Sequence, residues 1–309
     1  MTKVFIDGRE GTTGLRINDR IAARPDIEMI VLSEEERKDR ECRRQALNYA
    51  DVAFLCLPDP AAVEAVSLVD NDKTVIIDAS TAHRTLDGWA YGFPELSAEH
   101  RSKIETSRRI AVPGCHASGF IALVYPLVSK GIIGPDTALS CFSLTGYSGG
   151  GKKMIAQYES ENRDKLLDAP RQYGLGQTHK HLKEMVKIPS LSKAPVFCPI
   201  VADFYSGMEV TVPLDGISLC SHTADDIIKV YSELYKGPIV SFDSSIGSDG
   251  FISASAFSGK DLMKISVLGN DERIALVSLY DNLGKGASGA AVECMNIVLG
   301  VKDTEGLEL

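Results

Sequence analysis

The sequence predicts an α/β protein: a parallel-sheet domain joined to an α+β domain with a largely antiparallel sheet. Three observations carry this. Short β-branched runs alternate with helical patterns through the first third of the chain. Glycines gather where the first strand meets the first helix. After Cys115 the strand-like segments show alternating polarity and follow one another across turn residues.

KVFID (Lys3–Asp7), IEMIVL (Ile27–Leu32), DVAFLCL (Asp51–Leu57) and TVIIDA (Thr74–Ala79) are nearly continuous apolar runs. Such runs suit strands covered on both faces. LRINDRIAAR (Leu15–Arg24) and AAVEAVSLV (Ala61–Val69) lie between them as helices, which makes βαβ units and a parallel sheet. In the later part MEVTVPL (Met208–Leu214), MKISVLG (Met263–Gly269) and RIALVSLYD (Arg273–Asp281) alternate, and Gly269-Asn270-Asp271 separates the last two. Strands without crossover helices imply an antiparallel sheet. The chain closes with GKGASGAAVECMNIVLG, whose apolar spacing predicts a helix that could return to either domain.

The chain has 309 residues, 44% hydrophobic and 24% charged, with a formal charge of -9. That length suits one large or two ordinary domains. The acidic balance argues against nucleic acid as a partner. The longest apolar runs fall short of a membrane span. Seven cysteines are scattered with no C-x-x-C pair, which points to a reducing compartment and a cytoplasmic protein. A strand beginning at Lys3 leaves no room for a signal peptide, and a small-molecule substrate is expected.

FIDGREGTTGLRI sets Gly8, Gly11 and Gly14 after a strand and at the mouth of a helix. Glycines there let the backbone approach a pyrophosphate at the helix N-terminus, the arrangement of a Rossmann-type nucleotide domain. At the end of the second strand stand Ser33, Arg37 and Lys38 where an NAD enzyme usually offers a carboxylate. A hydroxyl and two cations suit a 2′-phosphate, hence NADP(H). The competing reading is a capping box, Ser33 with Glu36.

AVPGCHASG (Ala111–Gly119) places Cys115 at the start of a predicted helix, where free N–H donors favour a thiolate. The plain alternative is an inert thiol at a domain junction. A nucleophile needs a base nearby in space. His116 adjoins the thiol but projects about 100° away around a helix, which makes it a bystander. THKHLKEM supplies His179 and His181, with Glu184 placed to orient His181 on one helical face. A metal pair is the alternative, but H-x-H is awkward on a helix and no third ligand is evident, so no metal is expected. DASTAHR, ending in Arg84, and SLTGYSGGGKK (Ser143–Lys153), a glycine loop with Ser148 and Gly149, read as substrate grips or as ordinary loops.

Together DGREGTTG, DASTAHR, YGFPEL, VPGCHASG, SGGGK, HKHLKEM, VADFYSGM and NLGKGASGAAVE resemble the short-form N-acetyl-γ-glutamyl-phosphate reductases, in order and over essentially the whole chain. Two positions depart from that pattern: His116 stands where an aromatic residue is usual, and Ser118 where Thr is usual. The resemblance implies NADPH-dependent reduction of an acyl phosphate through a Cys115 thioester in arginine biosynthesis, with His179 or His181 as acid/base. It implies cofactor contacts at Gly8, Gly11, Thr12, Thr13, Gly14, Ser33, Arg37, Lys38, Leu57, Pro58, Asn282 and Gly286. It implies substrate contacts at Arg84, Ser148, Gly149 and Glu184. The implied domains are 1–115 with 285–309, and 116–284, in a homodimer or homotetramer. Aspartate-semialdehyde dehydrogenases, the nearest rival, typically carry Asn before the nucleophile, and Gly114 stands there. A non-catalytic NADP sensor of the same fold would need neither thiol nor histidine.

Overall fold

The early alternation of apolar runs is realised as strand and helix in turn. In the computed structural model, which describes residues 1–309, the chain runs β1 (Thr2–Asp7), α1 (Thr12–Ile21), β2 (Ile27–Ile30), α2 (Arg40–Tyr49), β3 (Val52–Leu55), α3 (Asp59–Ser67), β4 (Val75–Asp78), β5 (Ala90–Tyr91), α4 (Ala98–Thr106) and β6 (Arg109–Ala111). The strands form one sheet in the order β2-β1-β3-β4-β6-β5, every neighbouring pair parallel. The four expected strands are β1 to β4. Neither β5 nor α4 stood out by pattern, because β5 has only two residues and α4 buries only Ile104.

The second part continues with α5 (Cys115–Ser129), β7 (Ser140–Gly146), α6 (Gly151–Tyr158), β8 (Arg171–Gln172), α7 (Leu182–Lys187), β9 (Val196–Ala202), β10 (Met208–Asp215), α8 (Ala224–Leu234), β11 (Val240–Phe242), β12 (Met263–Asn270) and β13 (Arg273–Tyr280). Its sheet runs β11-β12-β13-β10-β7-β9-β8. Four neighbouring pairs are antiparallel, but β7–β9 and β11–β12 are parallel, so the sheet is mixed. A final helix, α9 (Gly289–Leu299), closes the chain.

The first compact unit comprises Met1–Pro94, Ala98–Pro113 and Ala287–Leu307; the second comprises Glu95–Ser97, Gly114–Gly286 and Glu308–Leu309. Against the expected boundaries, Gly114, Cys115, Lys285 and Gly286 all fall in the second unit. Helix α9, whose destination the spacing left open, belongs to the first. Arg24 anchors it by donating to Asn296 Oδ1 at 2.5 Å.

In the first unit, alternate strand residues feed two cores. Val4, Ile6, Phe54 and Ile77 pack with Ile17 and Ile21 of α1 and Val292 and Met295 of α9. Phe5, Ala53, Leu55 and Ile76 pack with Leu47 of α2 and Ala62 and Ala65 of α3. Both faces are therefore covered, which is why these strands read as unbroken apolar runs.

In the second unit, α5 is buried along most of its length. Tyr231 and Tyr235 of α8 donate hydroxyls to the carbonyls of Leu123 and Ala122 at 2.5 and 2.7 Å. Gly119 allows α5 to lie close on β10 and β13: a methyl group there would meet Ser278 Oγ at 2.5 Å, Tyr280 Oη at 2.6 Å and Val210 Cγ2 at 2.7 Å. Overpacking of this kind is worth about 1–3 kcal/mol. Gly119→Ala should therefore lower the stability of the protein by about that amount in urea unfolding; an unchanged midpoint would show that the helix can back away.

Candidate active site

In the first unit the order of strands turns back at β1 and β3, and in such sheets the crevice beyond their carboxyl ends is the binding position. A cavity of about 480 Å³ lies there, lined among others by Gly8, Gly11, Arg37, Lys38, Leu57 and Pro58. Gly8 has φ +86°, and a Cβ on it would overlap the Cys56 carbonyl. A Cβ on Gly14 would lie 2.5 Å from the Gly8 carbonyl oxygen, so there is no room for one. Gly11 caps α1 and donates to Gly8 O at 3.0 Å. The three glycines thus fold a tight turn that brings bare main chain to the mouth of α1, where Thr12 and Thr13 begin the first turn. An anion such as a pyrophosphate fits that chemistry.

The two readings of Ser33 meet in the structure. Its N–H donates to Glu36 Oε2 at 2.7 Å and its hydroxyl accepts from the Glu36 N–H at 3.3 Å, so the capping box is built around the 3₁₀ turn Glu36–Lys38. These bonds hold the Glu36 carboxyl below its usual range. Ser33 is thereby committed locally, whereas Arg37 and Lys38 line the cavity. Arg37 pairs with Glu10 of the glycine turn at 3.1 Å, and the exposed Lys38 with Glu34 at 3.3 Å. The pairing of Glu10 with Arg37 was not foreseen from the sequence.

Beyond β4, Arg84 is buried and donates to the carbonyls of Val112 and Ala79 at 2.8 and 2.9 Å, which ties the DASTAHR turn to the strand end. In the same turn Asp78 accepts from Ser80 Oγ at 2.6 Å and meets His83 Nδ1 at 2.6 Å, with the His83 ring stacked on Trp89.

The second unit holds the thiol. Cys115 is the first residue of α5, after Gly114 as N-cap. Three contacts fix this point. Gly114 N–H donates to Glu184 Oε2 at 2.9 Å. Tyr280 donates its hydroxyl to Cys115 O at 2.6 Å and accepts from Gly119 N–H at 3.1 Å. Gly286 stands so close that a Cβ on it would lie 3.1 Å from Cys115 Cβ.

His179 and His181 precede α7, with His181 as its N-cap. The helix expected to carry His181 with Glu184 begins only after both histidines: no helix connects them, and their rings lie 4.7 Å apart at 83°. His116 joins them, 5.7 Å from His179 and 5.6 Å from His181. His116, read as a bystander to the thiol, is nonetheless part of this cluster. It is buried, with Nδ1 at 2.6 Å from Ser143 Oγ and Nε2 at 2.6 Å from Tyr173 Oη. Burial, and then the neighbouring His179, pushes its pKa down to about 3, so its ring stays neutral. Phe197 completes the cluster edge-on to both His116 and His179. His181 N–H donates to His179 Nδ1 at 3.2 Å, which leaves the proton of neutral His179 on Nε2. Burial followed by Lys180 lowers the His179 pKa. Tyr173 and Phe197 carry no signal in sequence, and Ser143 marks only the start of the glycine loop, since each acts through contacts far along the chain.

The supposed glycine loop is partly regular structure. Ser143 to Gly146 end β7, Tyr147–Gly150 form a 3₁₀ turn, and Lys152 and Lys153 are exposed on α6. Ser148 is buried and its Oγ accepts from Asn282 Nδ2 at 3.0 Å; Gly149 next to it is exposed. Asn282 also accepts from Gly207 N–H at 2.9 Å, so its amide is engaged within the second unit. No group of three or more His, Cys, Asp or Glu is arranged to hold a metal ion, and no helix is long and apolar enough to cross a membrane.

Residues 3–104 match the semialdehyde dehydrogenase NAD binding domain, and residues 115–282 match the semialdehyde dehydrogenase dimerisation domain. The chain is 43% identical to N-acetyl-gamma-glutamyl-phosphate reductase 2 of Nostoc sp., over 99% of both chains. It is 44% identical to the N-acetyl-gamma-glutamyl-phosphate reductase of Brucella ovis, over 96% of this chain and 99% of that one. Among solved structures, aspartate semialdehyde dehydrogenase II of Vibrio cholerae superimposes with a TM-score of 0.73 at 15% identity, covering 97% of this chain and 98% of the other. The Candida albicans aspartate semialdehyde dehydrogenase with NADP gives 0.72 at 17% identity, covering 97% and 98%. At those identities the likeness is one of fold. With a dinucleotide-type crevice, a thiol at a helix start and full-length identity above 40% to named reductases, the chain belongs to the N-acetyl-γ-glutamyl-phosphate reductase family of oxidoreductases.

Proposed function

We propose that this chain reduces N-acetyl-γ-glutamyl phosphate to N-acetylglutamate semialdehyde with NADPH, as a cytoplasmic step of arginine biosynthesis. The observation that carries the reading is Cys115 at the first position of α5, in one unit with three gathered imidazoles. A helix start favours the thiolate and offers N–H groups to an oxyanion. The Cys115 thiolate attacks the acyl carbon, the bond to phosphate breaks with its electron pair leaving on phosphate, and a thioester remains on Cys115. A nicotinamide dinucleotide, when bound, supplies the hydride. His181 shares a proton with the resulting oxyanion and takes it back as the C–S bond breaks, so Cys115 returns as thiolate.

His181 is favoured over His179 by its place on α7. Glu184, one turn on, holds the Gly114 N–H beside the nucleophile, so the first turn of α7 is tied to the start of α5. His179 then orients its neighbour. Gly8, Gly11 and Gly14 with Thr12 and Thr13 would receive the pyrophosphate, Leu57 and Pro58 the apolar part of the cofactor, and Arg37 and Lys38 the 2′-phosphate. A homodimer is supported by the match to a dimerisation domain and by Phe142 and Val196, 47% and 57% exposed on the neighbouring strands β7 and β9.

Three outcomes are expected. Replacing Arg37 and Lys38 by Ala should weaken NADPH more than NADH in fluorescence titrations, by about 1.5–3 kcal/mol for each cation taken from the phosphate; equal weakening of both cofactors would refute the 2′-phosphate role. His181→Asn should lower turnover by about 10²–10⁴, the usual acid–base contribution, and His179→Asn by less; the reverse order would move the role to His179. Enzyme mixed with N-acetyl-γ-glutamyl phosphate alone, or with an inert NADP analogue, should release a burst of close to one equivalent of phosphate and carry a hydroxylamine-sensitive acyl group on Cys115. Phosphate released only with reducing cofactor, and no label on Cys115, would defeat the covalent mechanism, and a burst from aspartyl phosphate instead would change the substrate.

A further inference from the structure

Lys285 is only 1% exposed, and its ammonium holds both oxygens of Glu95 at 2.7 and 2.8 Å. Both residues belong to the second unit. A buried ion pair adds little to stability over a well-packed apolar pair, because desolvation offsets the attraction; in some proteins such a pair instead fixes one geometry. What it fixes here is the turn beside the nucleophile. Lys285 lies in a π-helical turn, Gly284–Ser288, a form that is rare and concentrates at functional sites. Asp281 secures the entry to that turn: its carboxylate accepts from Ser206 Oγ at 2.9 Å, from Leu283 N–H at 2.7 Å and from Gly259 N–H. The Gly286 N–H donates to Asp281 O at 3.0 Å, and Gly286 is the residue that closes on Cys115 Cβ. Between the secured entry and this close approach stands Lys285, held by Glu95.

We propose that the Lys285–Glu95 pair is a positioning device for Cys115: it holds the π-turn so that Gly286 backs the Cβ of Cys115 and keeps its Sγ aimed at the acyl carbon. The inference rests on Cys115 as nucleophile. Removing one partner would leave a lone buried charge and damage the fold, so the informative variant is Lys285→Met with Glu95→Gln, which removes both charges. It should melt close to the parent by circular dichroism. Its kcat should fall about 10–100-fold, the scale of a misplacement of around 1 Å, while KM for the acyl phosphate stays within about threefold. Gly286→Ala, with the pair intact, should give the same split, and Lys285→Arg should recover most of the turnover. If the double variant does not fold, Glu95→Asp, which keeps both charges but shortens the reach, should show the split in reduced form. An unchanged kcat in a folded variant, a rise in KM alone, or a fall in turnover matching the unfolded fraction would each overturn the proposal. Cys115→Ser run in parallel separates the two levels: turnover surviving in that variant would remove the nucleophile reading itself.

Discussion

The backbone at the start of α5 is gripped from several directions, and the chemistry of the second unit depends on that grip. Glu184 from α7 takes the Gly114 N–H, and the Tyr280 hydroxyl from β13 takes the Cys115 carbonyl while receiving the Gly119 N–H. Two of these bonds are buried and the Tyr280–Cys115 bond partly so, and the one to the Glu184 carboxylate is of the kind worth about 1.5–3 kcal/mol. They hold the first turn of α5, where Cys115 stands. Gly119 near the start of α5 lets β13 come close enough to do so.

Around that point polar groups are organised by burial. His116 behaves as an aromatic ring by packing against Phe197 and Tyr173. It also satisfies both ring nitrogens, through Ser143 and Tyr173, which is what permits an imidazole to be buried. Kept neutral, it adds no charge beside His179 and His181.

The first unit follows a different logic. Its strands are covered on both faces, and the reversal of strand order between β1 and β3 opens a crevice whose floor is main chain. Gly8 is required there by space as well as by torsion, and Gly14 by space alone, since side chains would strike the Cys56 and Gly8 carbonyls. The cations at the rim already have carboxylate partners, Glu10 for Arg37 and Glu34 for Lys38, and an incoming phosphate must displace or share them.

The sequence alone determined what local patterns can encode. Apolar runs too long for one-sided burial named the parallel strands, glycine spacing after the first of them named the tight turn at the mouth of α1, and small residues after Pro-Gly named the helix start at which Cys115 stands. What depends on distant residues meeting was decided only in three dimensions. The parallel pair β7–β9 forms across the intervening helices α6 and α7, and β11–β12 across a stretch of turns, so alternation could not reveal them. Both histidines of HKH reach one cluster because α7 begins after them, a boundary that helical spacing had placed too early. The partnership of His116 with Ser143 and Tyr173, of Gly114 with Glu184, and of Lys285 with Glu95 joins residues 27 to 190 positions apart. No periodicity carries that information, because hydrogen bonds and ion pairs of buried groups are chosen by the packed fold.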